Sequence, residues 1–214
     1  PTENSRQYLL NEGIPEEKIF VTGNTIVDAV NQNLEITKDK INVLDRFNLE
    51  EQGYFLATAH RTENVDNSAR LSCILEVFKL VHEEFGMSVV FPAHPRTLKM
   101  ISKFGFDVPT GTRMMDPLGY LDFLQLESSA KLVLSDSGGV QEEACIMGVG
   151  CVTLRNSTER PETLDVGSNI LMEIDDVEEI LAGVRKMMGN NGNWDNPYGD
   201  GTAGKKILRT ILTS

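Results

Sequence analysis

Cysteine and histidine are scarce in this sequence, and long apolar runs are absent. The three cysteines, Cys73, Cys145 and Cys151, are odd in number and show no CxxC spacing. That argues against a disulfide scaffold and predicts free thiols in a reducing, cytoplasmic setting. The three histidines, His60, His82 and His94, include no close pair, which disfavours a metal centre. No run is long enough to span a bilayer, and no signal peptide is evident. Basic residues are also in deficit: 20 Lys and Arg stand against 32 Asp and Glu, a formal net charge of −12. This argues against a nucleic-acid backbone or an anionic membrane surface as main partner. An anionic small ligand stays open, because a site can be locally positive within an acidic protein.

What is present reads as an ordinary globular chain. Hydrophobic residues make up 40% and charged residues 24% of 214 positions. That length suits one domain, with or without an appendage, and buries a core without disulfides or metals. The chain starts at Pro1 without Met, and residues 1–24 read like the interior of an α/β protein: a polar cap, a short helix, a Gly-Ile-Pro turn and a strand. The expectation is a fragment lacking an N-terminal domain; a processed or re-engineered start is the alternative.

Along the chain, short apolar runs alternate with segments of helical period. Strands are predicted at 18–24, 54–59, 88–93, 112–114, 131–136, 151–154 and 169–172. Residues 67–85 carry Leu71, Ile74, Leu75, Phe78 and Val81 on one helical face. Further helices are predicted at 25–46 (interrupted), 95–104, 119–129, 138–148, 176–188 and 202–213, with a short one opening at Arg160-Pro161. The alternation predicts a Rossmann-like α/β fold, a parallel sheet with helices on both faces. Such sheets bind ligands outside the carboxyl ends of their strands, which directs attention to the loops after Val21, Ala59, Ala93, Met114, Ser135 and Leu154.

Those loops hold HRTEN (60–64), HPRT (94–97), DSGGVQEE (136–143) and RNSTERPE (155–162). In DSGGVQEE the two glycines let a phosphate approach the backbone, and they open a helix whose free N–H groups and positive dipole end attract an anion. Ser137 adds a hydroxyl, and Glu142 or Glu143 can accept from paired ribose hydroxyls. The same octapeptide also suits a capped helix with no ligand at all. His60 and Arg61 either bind a diphosphate or cap local backbone, and His94 and Arg96 face the same choice. Arg160, beside Glu159 and Glu162, also fits a surface ion-pair cluster. His82 lies within an amphipathic helix and reads as structural.

Together, VTGNTIVDAV (21–30), TAHRTENVDN (58–67), FPAHPRT (91–97), YLDFLQLESSAKLVLSDSGGVQEEA (120–144), RNSTERPET (155–163) and NPYGDGTAGKKI (196–207) closely resemble the non-hydrolysing UDP-N-acetylglucosamine 2-epimerase family. They run in order across nearly the whole chain and are specific as a set, though not singly. The resemblance implies the C-terminal half of a two-domain GT-B-type architecture, with UDP in the cleft. The corresponding division is a remnant of the preceding segment at 1–17, a UDP-binding domain at 18–201, and a C-terminal helix at 202–214 that packs on the other domain. That packing would explain an apolar face of Ile207, Leu208, Ile211 and Leu212.

The resemblance also implies roles. His60 matches the catalytic histidine on the diphosphate side. Phe123, with the backbone from Leu118 to Tyr120, matches the uracil pocket. Ser137, Gly138 and Gly139 match the phosphate turn, Glu143 the carboxylate on the ribose hydroxyls, and Arg160 the arginine near the nucleotide. Arg61 and His94 match positions that help bind a second, activating UDP-N-acetylglucosamine in bacterial members. No cofactor or metal is implied, and the family is commonly homodimeric. Its reaction inverts C2 of the sugar by elimination and re-addition of UDP, interconverting UDP-N-acetylglucosamine and UDP-N-acetylmannosamine. The family's principal carboxylates and an arginine on the phosphates lie in the N-terminal domain, so these 214 residues alone are expected to bind UDP weakly without epimerising. Alternatives are a 2-epimerase of another UDP-2-acetamido sugar and a stand-alone UDP-sugar binding or regulatory module.

Overall fold

Apolar runs without polar alternation must be covered on both sides, and the computed structural model shows how this is done. It describes residues 1–38, 42–190 and 192–213. Six strands, β1 (Tyr54–Thr58), β2 (Ser88–Pro92), β3 (Thr112–Met115), β4 (Leu132–Ser135), β5 (Cys151–Leu154) and β6 (Asn169–Met172), form one sheet in the order β3-β2-β1-β4-β5-β6. Every neighbouring pair is parallel. The helices are α1 (Glu3–Asn11), α2 (Thr25–Lys38), α3 (Val43–Phe47), α4 (Thr62–Val65), α5 (Ser68–Phe85), α6 (Pro95–Phe104), α7 (Tyr120–Ser128), α8 (Gly138–Met147), α9 (Pro161–Asp165), α10 (Val177–Met188) and α11 (Ala203–Thr213).

Side chains alternate across the sheet, so each strand feeds two cores. On β1, Phe55 and Ala57 join Leu71, Ile74 and Phe78 of α5 and Ile180, Leu181 and Val184 of α10. Tyr54 and Leu56 of the same strand join Val43 of α3, Leu126 of α7, and Val140 and Ala144 of α8. All four β1 side chains are fully buried. The predicted face of α5 is buried throughout, and Phe78 meets Phe91 of β2 edge-on at 5.2 Å between ring centroids.

The strand order fixes where a ligand can enter. The chain winds outward from β1 through β2 to β3, then returns to lay β4 against the other side of β1. The loops leaving β1 and β4 therefore diverge to opposite faces, opening a crevice between their carboxyl ends.

One expectation needs correction. Residues 18–24 form no strand: Glu16–Lys18 is a 3-10 turn and the rest is irregular. The segment finds no place in the sheet, and Phe20 and Val21 stay exposed. It is instead tied to the loop before α11, where Asn24 N–H donates to the Tyr198 carbonyl at 2.8 Å. Gly23, at φ +87°, makes that approach, with the Tyr198 carbonyl 3.1 Å from where a Cβ would sit. The interrupted helix expected over 25–46 is two helices, α2 and α3, and Ile41 lies outside the described residues. The four-residue α4 was not anticipated; it follows directly on the β1 loop.

Candidate functional site

The paired ends of β1 and β4 set the frame. Thr58 Oγ1 and Ser135 Oγ are 2.7 Å apart, and Ser135 Oγ accepts the Ser137 backbone N–H at 3.0 Å. Just beyond, Asp136 is fully buried. Its carboxylate accepts the backbone N–H of His60 (3.0 Å) and of Arg61 (2.9 Å), and the side-chain amide of Asn64 (3.0 Å). His60 Nδ1 lies 3.1 Å from Asp136 Oδ1. Burial alone would raise Asp136, but the hydrogen bonds from His60, the Arg61 backbone and Asn64 outweigh it and hold the carboxyl below its ordinary range. The hydrogen bond to Asp136 in turn raises the His60 imidazole above its ordinary value, against the opposing effect of burial. The site thus favours a protonated His60 on an ionised Asp136.

Helix α8 opens directly after this carboxylate. Ser137 is its N-cap residue but makes no side-chain capping bond. The uncapped first turn is the standard anion-attracting end of a helix. Neither Gly138 nor Gly139 has a positive φ, so the turn does not need glycine for its conformation. What glycine supplies is room: a Cβ at Gly139 would find only Ser137 Oγ, at 4.0 Å. A Cβ at Gly138 would lie 3.6 Å from Glu159 Oε2 and 4.0 Å from an Arg61 guanidinium nitrogen. Glu159 is gripped by both terminal nitrogens of Arg155, at 2.7 and 2.8 Å. That hydrogen bonding, helped by its own backbone N–H and the Arg61 charge, brings its carboxyl down to about 2.

The next turn of α8 carries two buried carboxyls. Glu142 Oε2 pairs with Arg160 Nε at 2.8 Å, and Oε1 accepts from Asn24 at 2.8 Å, so the loop after Val21 does reach this edge. The ion-pair alternative for Arg160 is realised with this helix partner; of its chain neighbours, Glu159 binds Arg155 and Glu162 accepts from Thr2 Oγ1 at 2.5 Å. Glu143 Oε1 accepts from the Tyr120 hydroxyl at 2.9 Å. Burial lifts the Glu143 carboxyl above its ordinary range, and the Tyr120 bond only partly offsets this.

Between these parts lies a cleft of about 240 Å³ lined by Thr58, Ala59, His60, Pro92, His94, Pro117, Leu118, Phe123, Ser137 and Val140. It brings together five of the residues singled out in the sequence: His60, His94, Leu118, Phe123 and Ser137. Tyr120 and Glu143 do not line it but meet each other across α7 and α8, while Arg61, Gly138 and Gly139 sit at the turn. Arg160 is not among the residues that line the cleft and pairs with Glu142. His94 takes the capping alternative: its Nδ1 accepts the Arg96 N–H at 3.2 Å as N-cap of α6, and Arg96 pairs with Asp66. His94 still faces the cleft, its ring centroid 6.1 Å from that of His60. His82 is tied to the Met87 carbonyl at 3.0 Å, within its own helix end. Among the described residues no group of three potential metal ligands occurs, and no helix is long and apolar enough to cross a membrane.

Sequence reasoning passed over Asp136, Arg155 and Glu127. Asp136 had a readable signal, a carboxylate at the buried end of a strand with donors from HRTEN one strand away. The pairing of Arg155 with Glu159 depends on how the 155–160 loop folds, and the meeting of Glu127 with Glu143 on the packing of α7 against α8.

A family described as UDP-N-acetylglucosamine 2-epimerase matches residues 1–212. The chain belongs to that family. The UDP-N-acetylglucosamine 2-epimerase of Methanocaldococcus jannaschii is 49% identical over 220 residues, spanning 100% of this chain and 59% of the relative. The crystal structure of that organism's UDP-GlcNAc 2-epimerase in complex with UDP-GlcNAc and UDP superposes at a TM-score of 0.91 with 46% identity, covering 100% of this chain and 60% of the other. An E. coli ADP-heptose heptosyltransferase shares the fold at a TM-score of 0.53 and 12% identity, over 68% of this chain and 50% of its own. The chain thus spans about three fifths of the length of its epimerase relatives. Its sheet is the Rossmann-like half that 2-epimerases share with GT-B glycosyltransferases.

Proposed function

We propose that this chain is the UDP-binding, C-terminal domain of a UDP-N-acetylglucosamine 2-epimerase that interconverts UDP-N-acetylglucosamine and UDP-N-acetylmannosamine. The observation that carries the reading is the convergence of His60, Arg61 and the uncapped turn Ser137–Gly139 at the β1/β4 switch point. Protonated His60, Arg61 and the helix end all favour a dianionic group there. The apolar floor of Leu118 and Phe123 suits a planar base, and Glu143 suits the paired ribose hydroxyls. The M. jannaschii relative, described as a complex with UDP-GlcNAc and UDP, supports the ligand class.

In this reading a base removes the proton from C2 while the C1–O bond breaks and its electron pair departs with UDP. The product is 2-acetamidoglucal; re-addition of UDP with protonation on the other face inverts C2. The chain's share is to hold the leaving diphosphate through His60, Arg61 and the turn, where charge builds as the bond breaks. Proton transfer at C2 falls to carboxylates outside these 214 residues. The exposed apolar residues Leu208, Ile211 and Leu212 of α11 support a division in which residues 202–214 pack on a further domain. Three free cysteines support a reducing, cytoplasmic location, and a homodimer belongs to the same reading.

Calorimetric titration of the protein with UDP tests the ligand. Binding that survives His60→Ala with Ser137→Ala unchanged would remove the proposal. The full-length protein, incubated in D₂O with candidate UDP-sugars, should place deuterium at C2 of UDP-N-acetylglucosamine. Exchange only with another UDP-2-acetamido sugar would move the substrate assignment.

A further inference from the structure

Behind Glu143 lies a second carboxyl that the proposed reaction does not use. Glu127, on α7, is fully buried, and neither of its carboxyl oxygens has a donor. Facing it is the Glu143 carboxyl of α8, the helix that α7 also reaches through the 2.9 Å bond from Tyr120 to Glu143. Two ionised carboxylates in that position would repel each other without water to screen them. One shared proton turns the clash into an O–H···O⁻ hydrogen bond, among the stronger kinds. Glu143 already accepts from the Tyr120 hydroxyl while neither Glu127 oxygen has a donor, so the proton rests on Glu127; burial first, then the charge of Glu143, raises the Glu127 carboxyl in the same sense. Glu143, which takes the Tyr120 hydroxyl, is the member left ionised.

The other titratable groups facing Glu127 do not supply a counter-charge. Cys151 of β5 is a buried thiol that feels Glu127, and burial pushes it up to about 12. Tyr120, on the same helix as Glu127, is raised by burial and then by Glu143, and remains a neutral hydroxyl. Arg160 is taken up by Glu142.

We propose that Glu127 is a positioning residue for nucleotide recognition: as a neutral acid it donates to one oxygen of Glu143 and so aims the carboxylate at the two ribose hydroxyls. The proposal rests on the reading that Glu143 binds the ribose. A ligand hydroxyl then replaces or shares the Tyr120 bond, while Glu127 keeps the carboxylate from rotating away. Glutamine keeps a donor at this position, whereas methionine fills the space without one.

The test compares UDP with 2′,3′-dideoxy-UDP by calorimetry on the protein and its Glu127→Gln, Glu127→Met and Glu143→Gln variants. The wild type is expected to prefer UDP, Glu127→Gln to keep that preference, and Glu127→Met to lose about tenfold of it, the weight of one hydrogen bond to a charged group. Thermal melts should show Glu127→Met still cooperatively folded, which separates a lost ribose preference from a lost fold. As pH rises until Glu127 ionises, the wild-type preference should fall while that of Glu127→Gln holds. A wild type indifferent to the ribose hydroxyls, matched by Glu143→Gln, overturns the ribose reading and this proposal together. A discriminating wild type whose preference survives Glu127→Met overturns this proposal alone.

Discussion

His60 gives both its ring and its backbone to one carboxylate: Nδ1 lies 3.1 Å from Asp136 Oδ1, and the His60 N–H donates to Oδ2 at 3.0 Å. The ring is thereby fixed relative to its own peptide, and Nε2 is the nitrogen left for a ligand. Asp136 stands at the root of the candidate site, joining the β1 loop to the start of the turn Ser137–Gly139.

Replacing Asp136 with Asn keeps the shape but removes the charge and points an amide at donors. It is expected to destabilise the protein by about 1.5–3 kcal/mol, the cost of losing hydrogen bonds to a buried charged group. UDP binding should weaken with it. Urea unfolding and calorimetry measure the two; unchanged stability would show that the buried carboxylate is not what ties these loops together.

The His60 shift has a definite pH consequence. Its folded pKa lies above the unfolded value of 6.5. The stabilisation from its pairing with Asp136 is therefore fully present below 6.5 and is lost as pH rises through the raised folded value. UDP affinity should decline over the same interval, because a neutral imidazole offers less to a diphosphate. An NMR titration of the His60 ring run beside UDP titrations checks both, and His60→Gln should flatten the profile. Affinity that stays constant across the imidazole titration would count against His60 as a diphosphate contact.

Gly139→Ala separates folding from binding. Space and backbone conformation both accept a methyl in the unliganded protein, and alanine favours a helix by about 0.5–1 kcal/mol over glycine. The variant should melt no lower than the wild type yet bind UDP more weakly, because the methyl stands on the proposed path of the phosphate. Wild-type affinity in this variant would mean that the diphosphate sits elsewhere.

Phe78→Ala tests the core that carries the site. Phe78 is fully buried between α5 and β2 against Phe91. A loss of about 3–5 kcal/mol is expected in denaturant unfolding. A loss below about 1 kcal/mol would indicate that this face of the sheet repacks freely.

Much of this fold was legible because burial on both sheet faces leaves an unambiguous imprint. The runs at 54–59, 131–136 and 151–154 have no polar alternation, and the 3.6-residue period of 67–85 names the residues that α5 buries. Residues 18–24 misled for the converse reason. Ile19, Phe20 and Val21 have strand composition, but a strand exists only with a neighbour to pair with, and the sheet ends at β3 and β6. The place of Ser137, Gly138 and Gly139 at the start of a helix directly after a strand was readable in the same way. The partner of Arg160 was not: local charge pattern offered Glu159 and Glu162, and tertiary packing delivered Glu142. Glu127 was hidden for a related reason, since a Glu in a helix reads as solvated until a second helix covers it.

Glu159 gives the unliganded turn an anion of its own. Its carboxylate, locked by Arg155, stands beside Gly138 and Arg61 where a phosphate would add further negative charge. If UDP binds at this turn as proposed, its entry exchanges one negative group for another instead of filling a bare positive socket. Added salt should accordingly weaken UDP binding less than the local count of cations suggests. Glu159→Gln should restore the steeper dependence, and a titration series in KCl reads the difference directly. Equal slopes for the two proteins would place the Glu159 carboxylate outside the exchange. An occupant of this kind would also select by charge density, since a monoanion has less to gain than a diphosphate by competing with it.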